Sequence, residues 1–204
     1  MAILNHISDI IAESITVKTR LMSDCADQIY STSIKLAQVL GNGGKILLCG
    51  NGGSAADSQH LAAEFVIRFR SNVNRKALPA IALTVDTSLI TAGANDLGFE
   101  NVFARAVEAY GLKKDTLVGI STSGNSENVF RAMKQAKKLG MLTIGLLGGN
   151  GGKILELCDD AVVVPSNVTA RIQESHILIG HIWCEIIEES LFPDLFKKKN
   201  KIKA

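Results

Sequence analysis

The chain has 204 residues, 47% hydrophobic and 21% charged, with a formal net charge of +2, the composition of an ordinary globular protein long enough for one substantial core. So small a charge gives no reason to expect nucleic acid or an acidic partner, and the most basic stretch, KKKNKIKA from Lys197 onward, reads as a solvated tail. Cys25, Cys49, Cys158 and Cys184 form no C-x-x-C or metal-finger pattern, Asp9 and Glu13 interrupt the N-terminal apolar residues where a signal peptide would be uncharged, and no apolar run reaches membrane-spanning length, so a reduced, cytoplasmic protein is expected.

Residues 3–40 contain neither Gly nor Pro and repeat apolar side chains at helical spacing, from Ile3, Ile7, Ile10 and Ile11 to Ile29, Ile34, Leu36, Val39 and Leu40. The pattern predicts two helices with a break near Met22–Cys25, stopped by the GNGG at Gly41–Gly44. A strand KILLCG (Lys45–Gly50) follows, then a glycine turn, then a helix from about Ser54 to Phe69. Further apolar strands are PAIAL (79–83), TLVGIS (116–121), LTIGLLG (142–148) and DAVVVP (160–165). Helical segments fill the intervals, notably 127–139 and 169–191.

Short apolar strands alternating with helices imply a parallel sheet covered on both faces. The expected fold is α/β: a doubly wound, flavodoxin-like, five-stranded parallel sheet with two extra N-terminal helices. One domain should span 1–196, with the α/β core at 45–192 and the tail at 197–204. Residues 3–40 carry more apolar surface than one such domain needs, which points to packing between subunits.

In open α/β sheets ligands bind at the carboxyl ends of the strands. The loop STSGNS, Ser121 to Ser126, sits in that position and leads directly into a helix. Its hydroxyls (Ser121, Thr122, Ser123, Ser126), its Gly and the helix N-terminus together suit a phosphate. The plainer alternative makes Ser126 an N-cap and the rest turn formers. The earlier glycine turn invites a different ligand, because Gly50, Gly52 and Ala55 satisfy the dinucleotide pattern G-x-G-x-x-G/A. Such a site also needs an acidic residue about 20 positions on, and Asp86 lies too far downstream. A sugar phosphate is therefore expected over a nicotinamide.

His60 and Glu64 are four residues apart and share one helix face. Gln173 and His181 lie two turns apart within a broad common face of an otherwise apolar helix. Buried polar groups need partners, and His176, on the same helix, reads as a satisfied core histidine.

The stretches CGNGGSAADSQHLAAEF, GANDLGF, GISTSGNSENV and TARIQESHILIGH together resemble the phosphoheptose isomerases of the sugar-isomerase (SIS) domain family, over nearly the whole chain to about Phe192. The resemblance implies zinc held by His60, Glu64, Gln173 and His181. It implies sugar contacts from Asn51, Gly52, Gly53, Ser54, Asn95 and Asp96, with Glu64 and Gln173 also touching substrate, and phosphate contacts from Ser121, Thr122, Ser123 and Ser126. Arg68 matches a family position near the site. Ala170 departs from relatives that carry an acidic residue there. A homotetramer with sites between subunits is implied as well. The implied reaction is aldose–ketose isomerisation of sedoheptulose 7-phosphate, with Glu64 as the base at carbon and His181 as the acid/base at oxygen. The competing expectation is a non-catalytic SIS scaffold or regulator. Some relatives are of that kind, and the scaffold relative lacks the glutamate that is Glu64 here.

Overall fold

The computed structural model describes residues 2–196, so the predicted tail at 197–204 lies outside the described residues. Two helices come first, α1 (Ala2–Asp24) and α2 (Ala26–Gly41), with the break at Cys25 inside the predicted window. Five strands follow: β1 (Ile46–Cys49), β2 (Ala80–Ala82), β3 (Thr116–Ser121), β4 (Leu142–Gly148) and β5 (Asp160–Val164). All pair in parallel, in the order β2-β1-β3-β4-β5. This is the flavodoxin-like order expected from the strand–helix alternation.

Helices α3 (Gly53–Val66), α4 (Thr87–Leu97), α5 (Val102–Tyr110) and α6 (Glu127–Lys138) make the crossovers, and α7 (Thr169–Leu191) follows β5. Side chains alternate between faces along each strand, so one strand feeds two cores. Ile46 and Leu48 join Val118, Ile120, Ile144 and Leu146 against α2, α3 and α7. Leu47 and Cys49 face the other way, toward α5 and α6, with Phe103 and Met133. Among the described residues no helix is long and apolar enough to cross a membrane.

The chain runs from β1 outward to β2 and then returns to β3 on the other side of β1. That reversal splays the loops leaving β1 and β3 and opens a crevice at their carboxyl ends.

One boundary differs from expectation. Helix α3 ends at Val66, not Phe69, and Arg68 lies beyond it. The reason is tertiary: the Arg75 guanidinium donates to the carbonyls of Glu64 (2.8 Å) and Phe65 (2.9 Å), taking acceptors that a continuing helix would use. Asp86 has a structural task of its own as the N-cap of α4, accepting from the Leu89 N–H at 2.9 Å. That leaves the dinucleotide pattern of the first loop without its acidic partner.

Candidate active site

In the loop after β3, Ser123 Oγ accepts the Asn125 N–H at 3.2 Å, as a turn former does. Ser126 is the N-cap residue of α6, yet its side chain makes no cap hydrogen bond. Its Oγ instead meets the Oγ of buried Ser121 at 3.0 Å. Thr122 is half-buried and Ser123 exposed, at the edge of a cleft of about 560 Å³ that Asn150, Asn167 and Thr169 also line. Gly124 has φ +65°, and a Cβ there would come within 1.9 Å of the Gly151 carbonyl oxygen. Only glycine lets the two loops touch.

Glu127, first in the helix, is an anion where an incoming anion would be drawn. The hydrogen bond from Lys153 and then that from Arg131 hold its carboxyl below the usual range. Its charge is thus matched, and the helix N-terminus stays attractive to phosphate.

The loop after β1 is tied to this one. The side-chain amide of Asn51 donates to Asn128 Oδ1 at 2.8 Å, and Asn128 donates back to Asn51 Oδ1 at 2.8 Å. Gly52 has φ +54° and enters α3 as its N-cap, followed by Gly53 and buried Ser54. A Cβ on Gly53 would lie 2.5 Å from Gln173 Nε2, so the bare backbone there is what admits the amide from α7.

Farther along α3, His60 Nε2 lies 3.0 Å from His181 Nε2 and 3.3 Å from Glu64 Oε1. Two helices from distant parts of the chain make this cluster. A Cβ on Gly180 would come within 2.5 Å of Leu61 Cδ2, so the glycine beside His181 seats the leucine beside His60. The Phe69 ring closes the other side of His181, with centroids 5.1 Å apart. Burial, and then the neighbouring His60, lower the pKa of His181, against an opposing pull from Glu64. A neutral imidazole is favoured.

The structure therefore joins three of the four predicted metal ligands. Gln173 makes no hydrogen bond with His60, Glu64 or His181 and lies at Gly53 instead. Among the described residues no set of three or more His, Cys, Asp and Glu closes on a common cation position, because the three are linked pairwise through His60. The donors nonetheless suit zinc. Tetrahedral zinc with bonds of about 2.0–2.1 Å spaces its ligand atoms by about 3.3 Å, close to the separations found. Imidazole Nε2 atoms and a carboxylate oxygen are the nitrogen and oxygen donors that zinc takes. A dication satisfies that crowding of acceptors.

Asn95 and Asp96 fall in the last turn of α4, exposed, bonded to each other at 2.7 Å and to no loop residue named above. Arg68 is exposed. His176 is buried, with Nε2 3.0 Å from the Leu147 carbonyl oxygen, and burial lowers its pKa to about 4, as suits a neutral core histidine. The sequence reading missed Asp57, one turn before His60 on α3. Its Oδ2 is buried without a hydrogen-bond partner, and burial raises its pKa to about 6, with His60 pulling the other way. The i, i+3 spacing to His60 was its one signal. Asn128, Arg75 and Glu188 were also missed.

The model of the SIS domain family matches residues 9–148. A phosphoheptose isomerase of Nitratiruptor sp. is 57% identical over 187 residues, covering 92% of this chain and 99% of the relative. A solved phosphoheptose isomerase of Neisseria gonorrhoeae superposes with a TM-score of 0.86 at 44% identity, covering 92% of this chain and 99% of its own. Another, from Francisella tularensis, gives 0.88 at 39%, covering 93% and 100%.

Proposed function

From the premise that the chain belongs to the SIS-domain family, and within it to the phosphoheptose isomerases, we propose that it interconverts sedoheptulose 7-phosphate and D-glycero-D-manno-heptose 7-phosphate. The observation that carries the reading is the meeting of His60, Glu64 and His181 on two helices that also flank the crevice loops. An enediol isomerisation needs an acceptor for a carbon-bound proton, a carrier between two neighbouring oxygens and a grip on the distant phosphate.

In this mechanism Ser121, Thr122, Ser123 and Ser126, with the free N–H groups of α6, hold the phosphate. The backbone at Asn51, Gly52, Gly53 and Ser54 lets the sugar lie against the chain, with Gln173 beside it. Asn95 and Asp96 would reach it from the end of α4. Glu64 takes the proton from C1 of the ketose and returns it to C2. Its Oε1 faces His60, and its Oε2 makes no hydrogen bond to a described residue. His181, held neutral by burial, gives a proton to O2 and takes one from O1, so protons balance over the turn. Zinc held by His60, Glu64, Gln173 and His181 would supply Lewis-acid polarisation of the substrate oxygens.

The protein would act as a homotetramer. Ile3, Leu4, Ile7, Ile11 and Ile15 leave an apolar stripe of α1 exposed, and Leu21, Met22, Tyr30, Ile182 and Ile186 line a groove of about 300 Å³ beside it. Light scattering giving a monomer at micromolar concentration would remove this part of the reading. The unpaired thiols of all four cysteines support a cytoplasmic setting, and the product would enter bacterial surface glycans such as lipopolysaccharide or capsule. The test of the activity is direct. Purified protein incubated with sedoheptulose 7-phosphate should yield an aldoheptose phosphate, chelation should stop the reaction without unfolding the chain, and zinc should restore it. No aldose product with zinc present would defeat the assignment.

A further inference from the structure

We propose that the buried ion pair of Arg75 and Glu188 is a positioning device. It holds α3 and α7 at the spacing that the His60–Glu64–His181 cluster needs, and the inference rests on that cluster being the reactive centre. Both side chains are 1% exposed, with Arg75 Nε 2.8 Å from Glu188 Oε1. The remaining guanidinium nitrogens grip the end of α3: Nη2 donates to the carbonyl of Glu64 itself, and Nη1 to that of Phe65. Glu188 Oε1 also accepts from the Phe69 N–H at 3.0 Å, and the Phe69 ring lies against His181. One pair thus touches the backbone of the proposed base, the helix two turns below His181, and the segment carrying the ring that packs on it.

The helix end explains why a cation belongs there. The last carbonyls of α3 have no intrahelical donors and form the negative end of its dipole. A planar guanidinium can serve two carbonyls and a carboxylate at once, with directions set by its fork, which an ammonium cannot do.

Stability alone does not account for the pair. Desolvating two charges costs about as much as their attraction returns, and apolar residues of similar volume often do as well or better. Glu188 Oε2 is moreover buried with no hydrogen-bond partner. What charged hydrogen bonds add over apolar packing is direction. An apolar contact would let α3 slide on α7, and the 3.0 Å separation of His60 and His181 has little room for sliding.

That difference supplies the test. In Arg75→Met/Glu188→Leu the packing is kept and the directional tie removed. The double variant should fold and bind inorganic phosphate as the wild type does, with a Tm lowered by the Glu64 and Phe65 carbonyls and the Phe69 N–H that lose their side-chain partners. Its zinc affinity, by competition with a chromophoric chelator, should fall about 10- to 100-fold, with kcat reduced to a similar extent. Arg75→Lys, which keeps the charge and loses the fork, should show the same loss. If the apolar pair fails to fold, Arg75→Lys alone carries the comparison. Wild-type zinc affinity and kcat in a folded double variant or in Arg75→Lys would overturn the positioning role. A wild-type protein that neither binds zinc nor isomerises would instead defeat the reading of the centre, and the tie with it.

Discussion

The serine loop after β3 is one run of consecutive residues from Ser121 to Ser126, whereas the contact between His60 and His181 joins residues 121 positions apart. In the first region a strand end, a glycine at positive φ and a helix start set the shape of the loop, and the Gly151 loop packs against it. In the second nothing local brings the groups together. The interval depends on Gly180 admitting Leu61 and on Arg75 clasping both helices. A binding function can therefore rest on local backbone, which tolerates drift elsewhere. The chemical step proposed for His60, Glu64 and His181 would rest on how two helices pack, and so would be exposed to changes far from the substrate.

Glu64→Gln should separate the two regions most sharply. With zinc restored, an amide that cannot accept the carbon-bound proton should lower kcat by about 100- to 10,000-fold. Affinity for the sugar phosphate in calorimetry should hold, since the serine loop is untouched. Turnover near the wild-type rate would show that Glu64 is not the base.

Gly180→Ala attacks the same region through its packing. The added methyl would meet Leu61, which is fully buried, at 2.5 Å, so the helices must part or Leu61 must change rotamer. We expect kcat to fall by about 100-fold, the scale of an ångström-sized misplacement, with a loss of about 1–3 kcal/mol in stability. Leu61→Val in the same chain should recover part of both, and no recovery would mean the clash lies elsewhere.

Ser123→Ala probes the local region. Losing one hydrogen bond to a charged group should weaken sugar-phosphate binding by about 1.5–3 kcal/mol while kcat at saturation stays near its starting value. Equal affinities in calorimetry would take Ser123 out of the phosphate site.

The smallest effect concerns Asp57, whose raised pKa is a stability statement. Between about pH 4 and 6 the native carboxyl keeps a proton that the unfolded chain has lost, so stability falls as pH rises through this window. His176, with its pKa lowered to about 4, has the opposite slope, losing stability as pH falls below the ordinary histidine range. The two partly cancel near pH 5. Asp57→Asn in the metal-free protein should make denaturant stability rise with pH more steeply there, and an unchanged slope would return Asp57 to an ordinary pKa.

The sequence by itself determined the strands and the sheet they form. Each strand is a short apolar run bounded by glycine or polar residues, and strand–helix alternation permits little but a parallel, doubly wound sheet. It determined the serine loop for the same reason, since hydroxyls, glycine and helix start are neighbours in the chain. The i, i+4 pairing of His60 with Glu64 was equally legible, being a property of one helix. Only the tertiary structure decided that His181 stands opposite that pair, that Gln173 turns to Gly53, and that α3 stops at Val66. It alone showed the Asn51–Asn128 exchange and the Arg75–Glu188 clasp. The physical reason is range. Periodicity and turn chemistry act over a few residues, while the crossing of two helices follows from the shapes of side chains that meet only after the chain has folded.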